Sequence, residues 1–208
     1  MKYYKVFITH VIELDPLEIR ASLVSATGKS IIKKFKNFIN CNFFSGSKTV
    51  GWLISEGKVL SERHEYKIWK GNPKGSLIVY KDGSVFVGWK YDSEIVAELD
   101  KIWFCCQGFN LFPTGMDVIS GIKKEGFDPN QVGYTTNRIA IGYNKVTNKI
   151  VITVRPSSNA QRAVSTMKNL GCDGNAICLD SGGSVNLGLL GKLIFSTSRR
   201  LTNILWWN

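Results

Sequence analysis

A short apolar stretch near the end of the chain, residues 175–179, runs directly into Asp180-Ser181-Gly182-Gly183-Ser184. A run this apolar must be buried, which makes it an inner strand of a sheet. The two glycines free the backbone at its end, so main chain can approach a ligand and its amides can line an anion site. Asp180 therefore stands where an interior strand opens onto solvent. The turn is not the phosphate loop of nucleotide hydrolases, because no Gly-Lys-Ser/Thr follows, and no G-x-S-x-G surrounds Ser184.

The remainder reads as strands with a few helices. Residues 138–143 and 149–154 form a hairpin-like pair. Ala160, Ala163, Val164, Met167 and Leu170 predict a helix over 159–170, stopped by Gly171. Upstream, residues 3–14 and 18–25 read as strands parted by Asp15-Pro16. Ser30 is expected to cap a helix whose apolar face is Ile31, Ile32, Phe35, Phe38 and Ile39. Strands are expected at 50–54, 65–69, 76–80 and 84–89, with Asp82-Gly83 turning the last pair. Residues 102–106 and 109–112 read as buried strands, and 120–130 as a polar loop. The expected class is α+β, a mixed and largely antiparallel sheet with a few helices. With 208 residues, 44% hydrophobic and 21% charged, one domain over residues 1–208 is expected.

No apolar run approaches the roughly 18–20 residues of a membrane-spanning helix. Five cysteines, an odd number with no C-x-x-C pair, argue against a disulfide framework, and two distant histidines give no zinc spacing. No metal and no cofactor are expected. The first residues lack the apolar core and cleavage site of a secretory signal, so a cytoplasmic location is expected, as for a phage product acting in its host. A net charge of +11 suggests an anionic partner such as nucleic acid, phosphate or an acidic glycan. The cluster Lys33, Lys34 and Lys36 reads equally well as a solvated helix face. Nucleic acid is disfavoured, since no reading helix or aromatic RNA-binding motif is present.

Six segments, in order, resemble the phosphodiester glycosidase family. Ala176-Ile177-Cys178-Leu179-Asp180-Ser181-Gly182-Gly183-Ser184 is similar to its A-x-N-L-D-G-G-G-S signature. Ile39-Asn40-Cys41-Asn42-Phe43-Phe44 resembles I-N-G-G-F-F, and residues 51–59 the G-x-x-I-x-x-G-x-x that follows. Asn137-Arg138-Ile139-Ala140-Ile141-Gly142 resembles P-R-T-A-I-G. Residues 167–172 occupy the place of the helix before the signature, and residues 198–203 that of a closing S-x-x-R-x-V-x-N.

The resemblance implies a hydrolase that cleaves a sugar–phosphodiester bond, such as that of a nucleotide sugar or nucleotide-derived messenger. Asp180 would serve as base or nucleophile and Arg138 as phosphate clamp, because a guanidinium grips phosphate with two prongs. Asn40, Asn42, Ser181, Gly182, Gly183, Ser184 and Arg200 would contact substrate. The departures from the family are Cys41, Asn42, Cys178 and above all Ser181, which replaces the first glycine of the turn. If that position needs a positive φ, serine strains it. A protein that sequesters a phosphorylated, sugar-containing ligand without cleaving it is the alternative. Cys41 and Cys178 would lie near the pocket as buried small hydrophobes.

Overall fold

A computed structural model describes residues 1–62 and 71–208. The larger sheet runs β1 (Lys2–Val6), β2 (Thr9–Leu14), β13 (Lys149–Ser158), β12 (Thr136–Asn144), β14 (Ala176–Cys178), β11 (Ile102–Asn110), β7 (Leu53–Ser55) and β8 (Lys58–Ser61). Beside β11 a hairpin of β9 (Lys74–Tyr80) and β10 (Val85–Lys90) extends it. A smaller sheet runs β16 (Lys192–Phe195), β15 (Leu187–Leu189), β4 (Asn37–Asn40), β17 (Leu201–Trp207) and β3 (Arg20–Ala26). The strand pairs in both are antiparallel. A short ribbon of β5 (Phe44–Ser45) and β6 (Lys48–Thr49) completes the strands among the described residues.

Alternation along each strand explains how the layers meet. From β12, Ile139 and Ile141 enter a core shared with Ile39, Leu187 and Leu205 of the smaller sheet, so the two sheets pack face to face. Ala140, between them, points to the opposite face with Cys178 and Phe109. There α3 (Val118–Lys124) and α5 (Ala160–Asn169) cover the sheet through Val118, Ile122, Ala163 and Met167. Farther along, α2 (Asp92–Glu98) seats Ile95 against Trp52, Ile78 and Cys105.

β14 is an inner strand, as expected. Cys178 pairs with Ala140 on one side and Phe109 on the other. The approach is close: a Cβ on Gly108 would fall 1.9 Å from the Cys178 carbonyl oxygen, so a glycine is required on the neighbouring strand. The expected pairs at 138–154 and across Asp82-Gly83 are present, as is α5, capped by Asn159 and ended at Gly171 with φ +77.

Several local expectations are corrected. Residues 3–14 are a hairpin rather than one strand, turning at Phe7 and Ile8. The helix expected over residues 31–39 shrinks to α1 (Gly28–Ile31), and Asn37–Asn40 is a buried strand between β15 and β17. The two strands expected within residues 102–112 are one, β11, which ends at Asn110. The expected loop at 120–130 holds α3 and the start of α4 (Pro129–Val132), capped by Asp117 and Asp128. The strand expected at 65–69 lies outside the described residues.

Candidate active site

β14 ends at the seam between the two sheets, and smaller-sheet residues hold the chain that leaves it. The Asp180 amide donates to the Cys41 carbonyl at 3.0 Å, and Asn40 Nδ2 donates to the Asp180 carbonyl at 2.7 Å. Asn40 Oδ1 accepts the Asn186 amide at 3.0 Å. Asn40 is thereby a brace for the backbone of Asp180. Asn42 is committed as well: it donates to the Val50 and Trp52 carbonyls and accepts the Gln107 amide, at 2.9–3.2 Å. Both amides are buried with their donors and acceptors occupied, so their place is beneath the site.

The turn itself answers the question posed by Ser181. Its φ is −132 and its ψ −173, an extended conformation open to any residue, and the positive φ of +72 falls one position later, on Gly182. Ser181 Oγ donates to the Leu179 carbonyl at 2.9 Å and accepts the Ile139 amide at 3.3 Å. Serine thus ties the turn to β12 without strain. Gly183 has open space where a Cβ would stand.

A cavity of about 240 Å³ opens here, lined by Phe43, Tyr134, Thr136, Arg138, Asp180, Ser181, Gly183 and Arg199. Asp180 and Arg138, distant in sequence, share it. Asp180 is 7% exposed; Oδ1 accepts the Ser181 amide at 3.1 Å, while Oδ2 is buried without a hydrogen-bond partner among the described residues. Burial raises its pKa to about 6, against the opposing pull of the Ser184 hydroxyl, Arg199 and the Ser181 amide. Arg138 is 2% exposed. It donates to the Ser158 and Tyr134 carbonyls and to Cys178 Sγ, and lies over the Phe109 ring. Among the described residues it forms no ion pair, so a guanidinium charge is buried without an anion.

Arg200 does not reach this cavity. It turns back to the carbonyl and hydroxyl of Ser25 on β3. Its neighbour Arg199 lines the cavity instead, stacked over Phe44 at 4.4 Å and donating to Ser184 Oγ at 2.9 Å. Arg199 lies within the same closing segment as Arg200, and only the structure separates the two arginines. Ser184 is fully buried between Arg199 and Asp180, and so supports the carboxylate rather than facing the cavity. Tyr134 and Thr136 carry no sequence signal of their own, while Phe43 belongs to the segment that resembles I-N-G-G-F-F. Cys41 and Cys178 are buried, and burial pushes the Cys178 thiol up despite Arg138 beside it.

No family model and no curated protein matches the chain. Solved structures do. The catalytic domain of zebrafish N-acetylglucosamine-1-phosphodiester α-N-acetylglucosaminidase, described as auto-inhibited by its pro-peptide, is similar with a TM-score of 0.77 at 19% identity. That match covers 96% of this chain and 76% of that one. A protein of Burkholderia pseudomallei described as exported gives 0.68 at 11% identity, covering 96% and 73%. A hypothetical protein of Synechocystis gives 0.60 at 12%, covering 99% of this chain and 60% of its own. The expected fold class is therefore observed: this chain shares the fold of a phosphodiester glycosidase catalytic domain. No helix among the described residues is long and apolar enough to cross a membrane.

Proposed function

We propose that this pocket hydrolyses the glycosyl–oxygen bond of a sugar phosphodiester. The observation that carries the reading is the buried guanidinium of Arg138, unpaired by any carboxylate among the described residues, in one cavity with the unsatisfied carboxylate oxygen of Asp180. A buried charge without a counter-ion is costly unless a ligand supplies one. A phosphodiester does so beside the bond to be broken, and the fold shared with a phosphodiester glycosidase supports the same reading. A cavity of about 240 Å³ lies below the roughly 300–1,000 Å³ of drug-sized sites. It suits a sugar with its phosphate, leaving a nucleoside or other aglycone to project outward.

In this mechanism the bond from the anomeric carbon to the phosphate oxygen breaks, and the phosphate monoester leaves with that oxygen. Arg138 and Arg199 stabilise the charge that grows on it, so no general acid is needed. Asp180 is the one carboxylate among the described residues lining the cavity, which favours it as general base. Water adds to the anomeric carbon and its proton passes to Oδ2. A single displacement by water inverts the anomeric configuration.

The deciding experiment incubates the protein with a panel of glycosyl phosphodiesters and nucleotide sugars, following products and retained ligand by mass spectrometry. Asp180→Asn is expected to lower turnover by about 10²–10⁴-fold with binding kept. Arg138→Lys is expected mainly to weaken binding. Wild-type turnover in Asp180→Asn overturns the mechanism. Ligand that co-purifies uncleaved with the wild type instead identifies a sequestering protein.

A further inference from the structure

The charges in the cavity do not balance for a single ligand class. Two guanidinium groups, Arg138 and Arg199, line it with one carboxylate, Asp180. Neither arginine forms an ion pair among the described residues. With Asp180 ionised, one positive charge is left over, which a phosphodiester monoanion neutralises. With Asp180 protonated, two are left over, and a dianion is the matching ligand. The products of the proposed reaction include such a dianion, the phosphate monoester.

The surroundings of Asp180 allow this change of state. Oδ2 has no partner that protonation would displace. On the turn, Ser184 Oγ receives the Arg199 guanidinium at 2.9 Å, so its own proton is free to point at the carboxylate or away from it. On β14, the buried Cys178 thiol accepts from Arg138 and lies near Asp180. Tyr134 faces the same cavity from the segment before β12.

We propose that the Asp180 pocket is also a proton-coupled dianion site: one proton enters with a divalent oxyanion and leaves with it. Resting on the hydrolase reading, this makes the enzyme's own phosphate monoester an inhibitor that tightens as pH falls from 8 to about 6, where the monoester takes up its own second proton. The step balances, since a proton from solvent joins Oδ2 while the dianion takes the two guanidinium groups. Phosphate itself titrates near neutrality and would blur the measurement; sulfate does not, and methyl sulfate is its monoanionic counterpart.

Calorimetric titration with sulfate at pH 5, 6, 7 and 8, in buffers of different ionisation enthalpy, tests this directly. With burial raising the Asp180 pKa to about 6, sulfate is expected to bind about 100-fold tighter at pH 5 than at pH 8. One proton should be taken up per sulfate at pH 8 and almost none at pH 5. Methyl sulfate should show the dependence weakly or not at all. In Asp180→Asn, sulfate affinity should match the wild-type value at pH 5 and stay level with pH. Sulfate that binds with the same affinity across this range, or a dependence that survives in Asp180→Asn, overturns the proposal while leaving the hydrolase reading intact. Absence of sulfate binding at any pH, with no loss in Arg138→Ala because there is nothing to lose, overturns the anion site on which both rest.

Discussion

Two carboxylates lie deep in this molecule, and they are treated in opposite ways. Glu125, at the end of α3, is fully buried and does not line the candidate cavity. Oε2 accepts the Gly75 amide, and Oε1 accepts the Asn110 amide and Trp89 Nε1, each at 2.8 Å. Its own carbonyl receives the Lys74 ammonium. Asp180 is almost as deeply placed, yet it has only the Ser181 amide and the Ser184 hydroxyl beside it, and Oδ2 has no hydrogen-bond partner among the described residues. Burial raises both, Glu125 to about 7 and Asp180 to about 6. A raised pKa therefore does not separate them. Hydrogen-bond satisfaction does: Glu125 staples α3 to β9 and β11, while Asp180 retains bonding capacity at the edge of a cavity.

The comparison breaks most visibly at Glu125. Glu125→Ala would leave three buried N–H donors without acceptors, a loss of about 3–5 kcal/mol of stability, with turnover per folded molecule unchanged. Urea unfolding beside an activity assay checks this. A stable Glu125→Ala variant would deny the staple, and a folded but inactive one would place Glu125 in the chemistry.

The effect at Asp180 has the opposite sign. Its folded pKa, about 6, lies above the value of about 4 in an unfolded chain, so native stability falls as pH rises from 4 through 6 and is level above. Asp180→Asn removes that penalty. It is expected to be more stable than wild type by up to about 3 kcal/mol at pH 7–8, with the advantage vanishing below pH 4. Thermal melts of both proteins from pH 4 to 8 measure it; a variant destabilised at pH 8 would show that the carboxylate is satisfied after all.

The smallest effect sharpens the reading of the turn. Because Ser181 is extended, Ser181→Gly relieves no strain and loses the bonds to Leu179 and Ile139, for a cost of about 1 kcal/mol. A gain in melting temperature would mean that serine is strained there.

The strand-to-glycine junction, the β12–β13 pair and α5 with its Asn159 cap and Gly171 stop were legible because each rests on a period or a cap spanning few residues, whereas the convergence of Arg138 with Asp180 was implied only by the resemblance. Residues 31–39 were not. Ile31, Ile32, Phe35, Phe38 and Ile39 fit a helical stripe, but Asn37–Asn40 lies buried between two strands from the far end of the chain, where all four side chains are covered. Long-range pairing there outweighed a local preference worth a few tenths of a kcal/mol per residue. The site divides in the same way. Sequence alone determined which carboxylate ends the inner strand and which turn follows it. Tertiary structure decided that Arg199 rather than Arg200 lines the cavity with Asp180, that Asn40 and Asn42 hydrogen-bond buried backbone, and that Glu125 has more of its hydrogen bonds filled than Asp180. Those choices depend on which donors and charges distant strands bring together, and no spacing along the chain encodes them.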